Sequence, residues 1–249
     1  MIERKDADGI RLLRLAHGKV SAMDIELGNR FIAEMTEAMA PSVKAVIITG
    51  SGASFSAGVD LFRLVEDGAD YARRFLPVLD ELLRVTLTFP KPVVAAVNGH
   101  AIAGGCILAA ACDHRIMTEG NGRIGMPELA VGVPFPALPL QIIAARIPDG
   151  HLRDLVFTGR TVQVDEARAM GLIDEQCPAG MLLDRATEAA ARLASIPAGA
   201  FAFTKEAFYA PILERTRLLA DVNARVVDAW GQQHTYDTIK AYLDRTIRK

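Results

Sequence analysis

The chain has 249 residues, enough for one or two domains with a sizeable core. A hydrophobic fraction of 51% and a charged fraction of 23% belong to a globular protein and exclude a disordered one. A net charge of -2 leaves no basic excess to attract nucleic acid or a membrane surface.

In chain order, the N-terminus MIERKDADGIRLLRL lacks the apolar region of a signal peptide. Residues 10–15, IRLLRL, read as a short strand. Residues 24–40 read as a helix that Asp24 can cap, with Ile25, Phe31, Ile32, Met35 and Met39 near one face. VKAVIITG, 43–50, is a β-branched run closed by glycine, the pattern of a buried strand. The loop SGASFSAG follows, then a helical segment over 70–89 that ends before FPKP. PVVAAVNG, 92–99, is a second buried strand, followed by glycine-rich HAIAGG and a short apolar helix over 106–111. DHRIMTEG, 113–120, reads as a third strand. The Pro/Gly-rich stretch IGMPELAVGVPFPALP leads to a helix that begins near Leu140. VDEARAMGLID, 164–174, is a helix stopped at Gly171, and a return strand follows. From Leu182 the pattern is helical, with a break at IPAG, 196–199. Strand and helix alternate first and helices close the chain, so the expected fold is an α/β core with a helical tail.

No apolar stretch reaches the roughly 20 clean residues of a membrane helix, and the C-terminal RTIRK is not a peroxisomal address. Cys106, Cys112 and Cys177 are an odd number, and two of them lie in apolar surroundings. Buried reduced thiols and a cytoplasmic setting follow.

Gly104 and Gly105 stand directly before the apolar helix, although glycine inside a helix costs about 0.5–1 kcal/mol relative to alanine. The order strand, glycine loop, helix recurs at 43–62 and 92–111. The first N–H groups of a helix have no partner within it and carry the positive end of its dipole. Small residues there let a ligand oxygen approach, and two such donors from neighbouring strands would form an oxyanion hole. Tight packing of helix on strand needs the same glycines, and the spacing leaves both readings open.

Other chemistries find less support. Neither G-x-G-x-x-G nor G-x-x-x-x-G-K-[ST] occurs. SFSAG, 54–58, falls short of a serine hydrolase's nucleophile elbow because Ser54 stands where G-x-S-x-G needs glycine. The histidines at 17, 100, 114, 151 and 234 show no metal-ligand spacing, so no metal site is expected. His100 and His114 read as satisfied polar residues near turns. Glu128, in IGMPEL, is a carboxylate among apolar neighbours, which raises a pKa and suits proton transfer. A glutamate after proline at a helix start also serves as a cap.

FSAGVDL (55–61), AVNGHAIAGGC (96–106) and MPELAVG (126–132), in this order, resemble the crotonase superfamily of enoyl-CoA hydratases and isomerases, and the likeness covers nearly the whole chain. The resemblance implies a spiral of ββα units over 1–195 and a C-terminal helical region, 196–249, that mediates assembly into a trimer or a dimer of trimers. It implies acyl thioesters of coenzyme A as substrates, with no cofactor beyond that coenzyme A. Carried over residue by residue, the backbone N–H groups of Ala57 and Gly104 would form the oxyanion hole. Val20, Ala22, Val59, Asp60 and Leu61 would line the coenzyme A groove. Tyr242 and Arg245 would reach a neighbouring subunit's ligand from the last helix.

Hydratases of this family hold a water between two glutamates. Glu128 matches one of them; the other position is Ile107, which would face the substrate without orienting water or moving a proton. Pro134, Phe135 and Pro136 stand where hydratases often carry a glycine pair, and would stiffen and dry the pocket. The expected activity is therefore a Δ3-Δ2 enoyl-CoA isomerase with Glu128 as the single acid/base. The alternatives are a hydratase whose second group comes from elsewhere, such as Glu66, Asp67 or Asp70, and a non-catalytic acyl-CoA binding protein.

Overall fold

The structure is a computed structural model and describes residues 1–246; residues 247–249, the end of RTIRK, lie outside the described residues. A hairpin opens the chain: β1 (Ile2–Ala7) and β2 (Ile10–Leu15) pair antiparallel across Asp8 and Gly9, whose φ angles are 52° and 79°. β2 falls on the expected IRLLRL. β1, IERKDA, carries almost no apolar signal because it is an exposed edge strand. α1 (Ile25–Glu37) begins as expected at Asp24, whose side chain accepts the Leu27 N–H.

A repeating unit then sets the architecture. β3 (Ala45–Thr49), β4 (Ser54–Ser56) and α2 (Leu61–Leu87) form its first turn. β5 (Val93–Val97), β6 (His100–Ile102) and α3 (Gly104–Ala111) form the second. β7 (His114–Thr118), β8 (Ile124–Gly125) and α4 (Glu128–Val131) form the third. The chain continues through α5 (Ala137–Ala144), α6 (Asp149–Thr158), β9 (Thr161–Val162), α7 (Val164–Ala169) and β10 (Glu175–Cys177). It closes with α8 (Leu182–Ala194), α9 (Ala198–Leu218), α10 (Ala220–Trp230) and α11 (Gln233–Thr246).

In each turn the first strand joins a large sheet, ordered β1-β2-β3-β5-β7-β10, and the second joins a small one, ordered β4-β6-β8-β9. Corresponding strands of successive turns pair in parallel, so each ββα unit stacks on the one before it and the whole forms a spiral. Both faces of the large sheet are covered, which explains the unbroken apolar runs. On β3, Val46 and Ile48 enter the main core, while Ala45 and Ile47 face Leu182, Ala186, Ala189 and Ala190 of α8. The helices after Ile196 share the main core through Tyr209, Ile212, Trp230, Tyr236, Ile239 and Leu243. Among the described residues no helix is long and apolar enough to cross a membrane. The three cysteines are buried and unpaired.

The structure also differs from the sequence reading at the small sheet and at the starts of α2 and α3, and adds α6 and β9, which no pattern announced. The small-sheet strands are only two or three residues long, too short for a period of two to appear. α2 starts at Leu61, nine residues before the expected 70, because Gly68 interrupts it with φ 69° and ψ -153° and splits the helical pattern. α3 starts at Gly104 rather than Cys106, so both glycines belong to its first turn.

Candidate active site

The two glycines of α3 do different jobs. A Cβ on Gly105 would lie 2.3 Å from the Ser56 carbonyl oxygen, so this glycine lets α3 pack on β4. A Cβ on Gly104 would meet nothing closer than Met23 Sδ at 3.1 Å. Ala103 holds the unusual φ of 51° ahead of Gly104, and the first backbone bond of the helix runs from the Ile107 N–H to the Ala103 carbonyl. The Gly104 N–H therefore has no helical partner. Gly58 comes up against it: a Cβ on Gly58, whose φ is 79°, would sit 2.9 Å from the Gly104 nitrogen.

The other N–H that the motif suggested, that of Ala57, is not free. The Ala57 N–H donates to the Val20 carbonyl at 3.0 Å, so it is committed to the loop before α1. The Gly58 N–H donates to Ser56 Oγ at 3.2 Å and the Asp60 N–H to the Met23 carbonyl at 2.9 Å. Met23 pairs with Val59 as in a parallel ladder, with the bonds made by the Gly58 carbonyl and the Asp60 N–H. In such a ladder the intervening residue points its own N–H to the opposite side. Among the described residues the Val59 N–H has no partner, and it leaves the loop on the side away from Met23. Sequence alone missed this because the pairing of 20–23 with 57–60 follows no periodic pattern.

These loops line a cavity of about 480 Å³. Val20, Ala22, Ala57, Val59, Asp60, Leu61, Glu128 and Tyr242 line it, and Gly104 stands directly behind the lining residue Ala103. His17, Lys19, Phe62, Ile102, Ala103, Pro127, Val131, Val133, Trp230 and Leu243 are lining residues that sequence reasoning did not pick out. Ile107 and Arg245 do not line it: Ile107 is buried in the core one turn into α3, and the Arg245 guanidinium lies 5.9 Å from the Tyr242 ring. Tyr242 itself turns into its own chain's cavity, because α11 folds back onto α2 and α4 rather than away from them.

Glu128 is the buried carboxylate of this cavity. It opens α4 after Pro127 and is 7% exposed. Its Oε2 has no hydrogen-bond partner among the described residues. Burial pushes its pKa up to about 8, against a smaller opposing pull from its own backbone N–H. Asp60, the other lining carboxylate, accepts the Arg63 N–H at 3.0 Å as the cap of α2. Glu66, Asp67 and Asp70 point elsewhere: none lines the cavity, and Asp67 and Asp70 pair with Arg63 and Arg73. Ser56 does not stand as a nucleophile, since its hydroxyl donates to the Ser21 carbonyl at 2.8 Å and accepts the Gly58 N–H. The arrangement thus combines unpaired backbone donors with one basic carboxylate in an apolar cavity.

Comparison with known proteins agrees with this geometry. The family model for enoyl-CoA hydratase/isomerase matches residues 8–247. A short-chain-enoyl-CoA hydratase of Clostridium acetobutylicum is 34% identical over 166 residues, 66% of this chain and 63% of that one. A crotonyl-CoA hydratase of Syntrophomonas wolfei is 35% identical over 62% of this chain and 60% of its own. The chain thus spans less than two thirds of the length of these curated relatives. An enoyl-CoA isomerase of Mycobacterium tuberculosis is 30% identical with a TM-score of 0.82, covering 92% of this chain and 96% of that one. The human mitochondrial delta3-delta2-enoyl-CoA isomerase is 22% identical and shares the fold with a TM-score of 0.93, covering 98% and 97%. Fold, motif order and family match agree, and the chain belongs to the enoyl-CoA hydratase/isomerase family, within the crotonase superfamily.

Proposed function

We propose that the protein acts on acyl-CoA thioesters as a Δ3-Δ2 enoyl-CoA isomerase. The observation that carries this reading is Glu128, a buried carboxylate with an unpartnered Oε2, the only such group lining the cavity among the described residues. In this reading the thioester oxygen accepts the N–H groups of Val59 and Gly104. Glu128 takes a proton from C2 of the 3-enoyl chain; the C–H electrons form a C1=C2 bond and the carbonyl π electrons move onto the thioester oxygen. The two N–H donors hold the resulting dienolate; losing one such donor typically costs about 2.7–4 kcal/mol. Glu128 returns the same proton at C4, leaving the double bond between C2 and C3. No water and no further cofactor enter the balance. A carboxylate with a pKa near 8 is a stronger base than an ordinary glutamate and still an acid near neutrality, which suits both halves of the shift.

Hydration is the second reading, favoured by the names of the bacterial relatives. It needs a second group to activate water. Ile107 is apolar and outside the cavity, and Asp60 is occupied as a helix cap. We further propose that α9 mediates assembly of the chain into a trimer or a dimer of trimers. Its Phe203 and Phe208 are 74% and 66% exposed, which a soluble surface does not favour.

Glu128→Gln tests the mechanism. Turnover falls by about 100-fold or more, while the dissociation constant for a saturated acyl-CoA changes little. Activity that survives the substitution would remove Glu128 from the chemistry. A wild-type protein that binds acyl-CoA without turning over any enoyl-CoA would be a carrier.

A further inference from the structure

The cavity has two unlike ends. One is open and polar: His17 and Lys19 line it, and Phe62 there is 45% exposed. The other is closed and apolar: Val131, Val133, Leu243 and Trp230 are all buried, Trp230 at 2% exposure. Glu128 lies one helical turn before Val131 on α4, next to the buried end. A thioester held at Val59 and Gly104 with its reacting carbons at Glu128 therefore sends its acyl tail toward Trp230.

We infer that Trp230 closes the acyl end of the cavity and sets the longest acyl chain the protein accepts. This rests on the acyl-CoA reading above. The indole is fixed in place: its Nε1–H donates to the Pro134 carbonyl at 2.8 Å. Swinging the ring aside would leave the buried indole donor unpaired. Pro134 is followed by Phe135 and Pro136, which limits the freedom of the loop that carries the acceptor. α10 carries the ring and packs on α2 and α5, so the ring is held from behind. The neighbouring lining side chains at this end are aliphatic and smaller, so the indole plane is the stop that a lengthening tail meets.

The test is calorimetric titration of butyryl-, hexanoyl-, octanoyl-, decanoyl- and dodecanoyl-CoA into wild type, Trp230→Phe, Trp230→Leu and Trp230→Ala. Wild-type affinity rises with chain length and then drops at the length that reaches the indole. The variants move the drop to longer chains in order of the volume removed, and the first chain excluded by wild type gains about 10-fold, the value of two newly buried methylenes. Circular dichroism and a cooperative melt certify each variant as folded; where Trp230→Ala does not fold, the Leu and Phe variants carry the comparison. Length profiles that run parallel in wild type and every folded variant would overturn the inference and put the tail elsewhere. A wild type that binds no acyl-CoA would instead overturn the acyl-CoA reading itself.

Discussion

Glu128 joins function and stability in one side chain. In the unfolded chain a glutamate titrates near 4.5, and in the fold Glu128 titrates near about 8. Between those values the native state holds a proton that the unfolded state has released. Stability is therefore fully present below 4.5, falls as pH rises through this window, and levels off above 8. Glu128→Gln stays neutral throughout, so the variant gains on wild type as pH rises. The gain is on the order of a few kcal/mol across the window, read from urea midpoints at about pH 5 and about pH 9. A constant difference would mean that Glu128 is solvated. The same titration shapes activity: kcat/KM for a 3-enoyl-CoA rises with pH and reaches its plateau above about 8, as the free enzyme's base ionises. An acid limb with an ordinary carboxylate pKa would place the base elsewhere. At this scale the sequence marked Glu128 by its apolar neighbours and Gly104 by its place before an apolar helix. It pointed to Ala57, whose N–H is bonded, rather than to Val59, whose N–H has no partner among the described residues, because no periodic pattern marks which side of a short ladder an N–H group faces.

At the scale of elements, the α3 start shows packing and chemistry using adjacent glycines. Gly105→Ala forces a methyl against the backbone of β4, where nothing can move aside cheaply, and lowers stability by about 1–3 kcal/mol or more. Gly104→Ala meets the flexible end of Met23 and keeps its N–H, so its melting temperature stays near that of wild type. Thermal unfolding of both variants makes the comparison, and equal losses would contradict the division of roles. The long buried strands and α1 were legible because burial on two faces and an Asp24 cap leave marks in the sequence. The short strands of the small sheet were not, since what defines them is contact with the neighbouring turn of the spiral.

At the scale of the molecule, the helical tail was visible as a pattern, but its return over the cavity was not. Trp230 and Leu243 lie at least a hundred residues after Glu128, and only the fold brings them to one cavity. The face of α9 that stays exposed makes a separate prediction. Phe203→Asp combined with Phe208→Asp yields monomers in sedimentation velocity where wild type sediments as a multiple of the chain. An unchanged sedimentation coefficient would remove α9 from the assembly. The central claim, a single acid/base working without water, is tested most directly by its product. Incubation with cis-3-hexenoyl-CoA, followed by chromatography with mass detection, is predicted to give a product of unchanged mass that co-elutes with trans-2-hexenoyl-CoA. A product heavier by one water would contradict the account and require a second group beside Glu128.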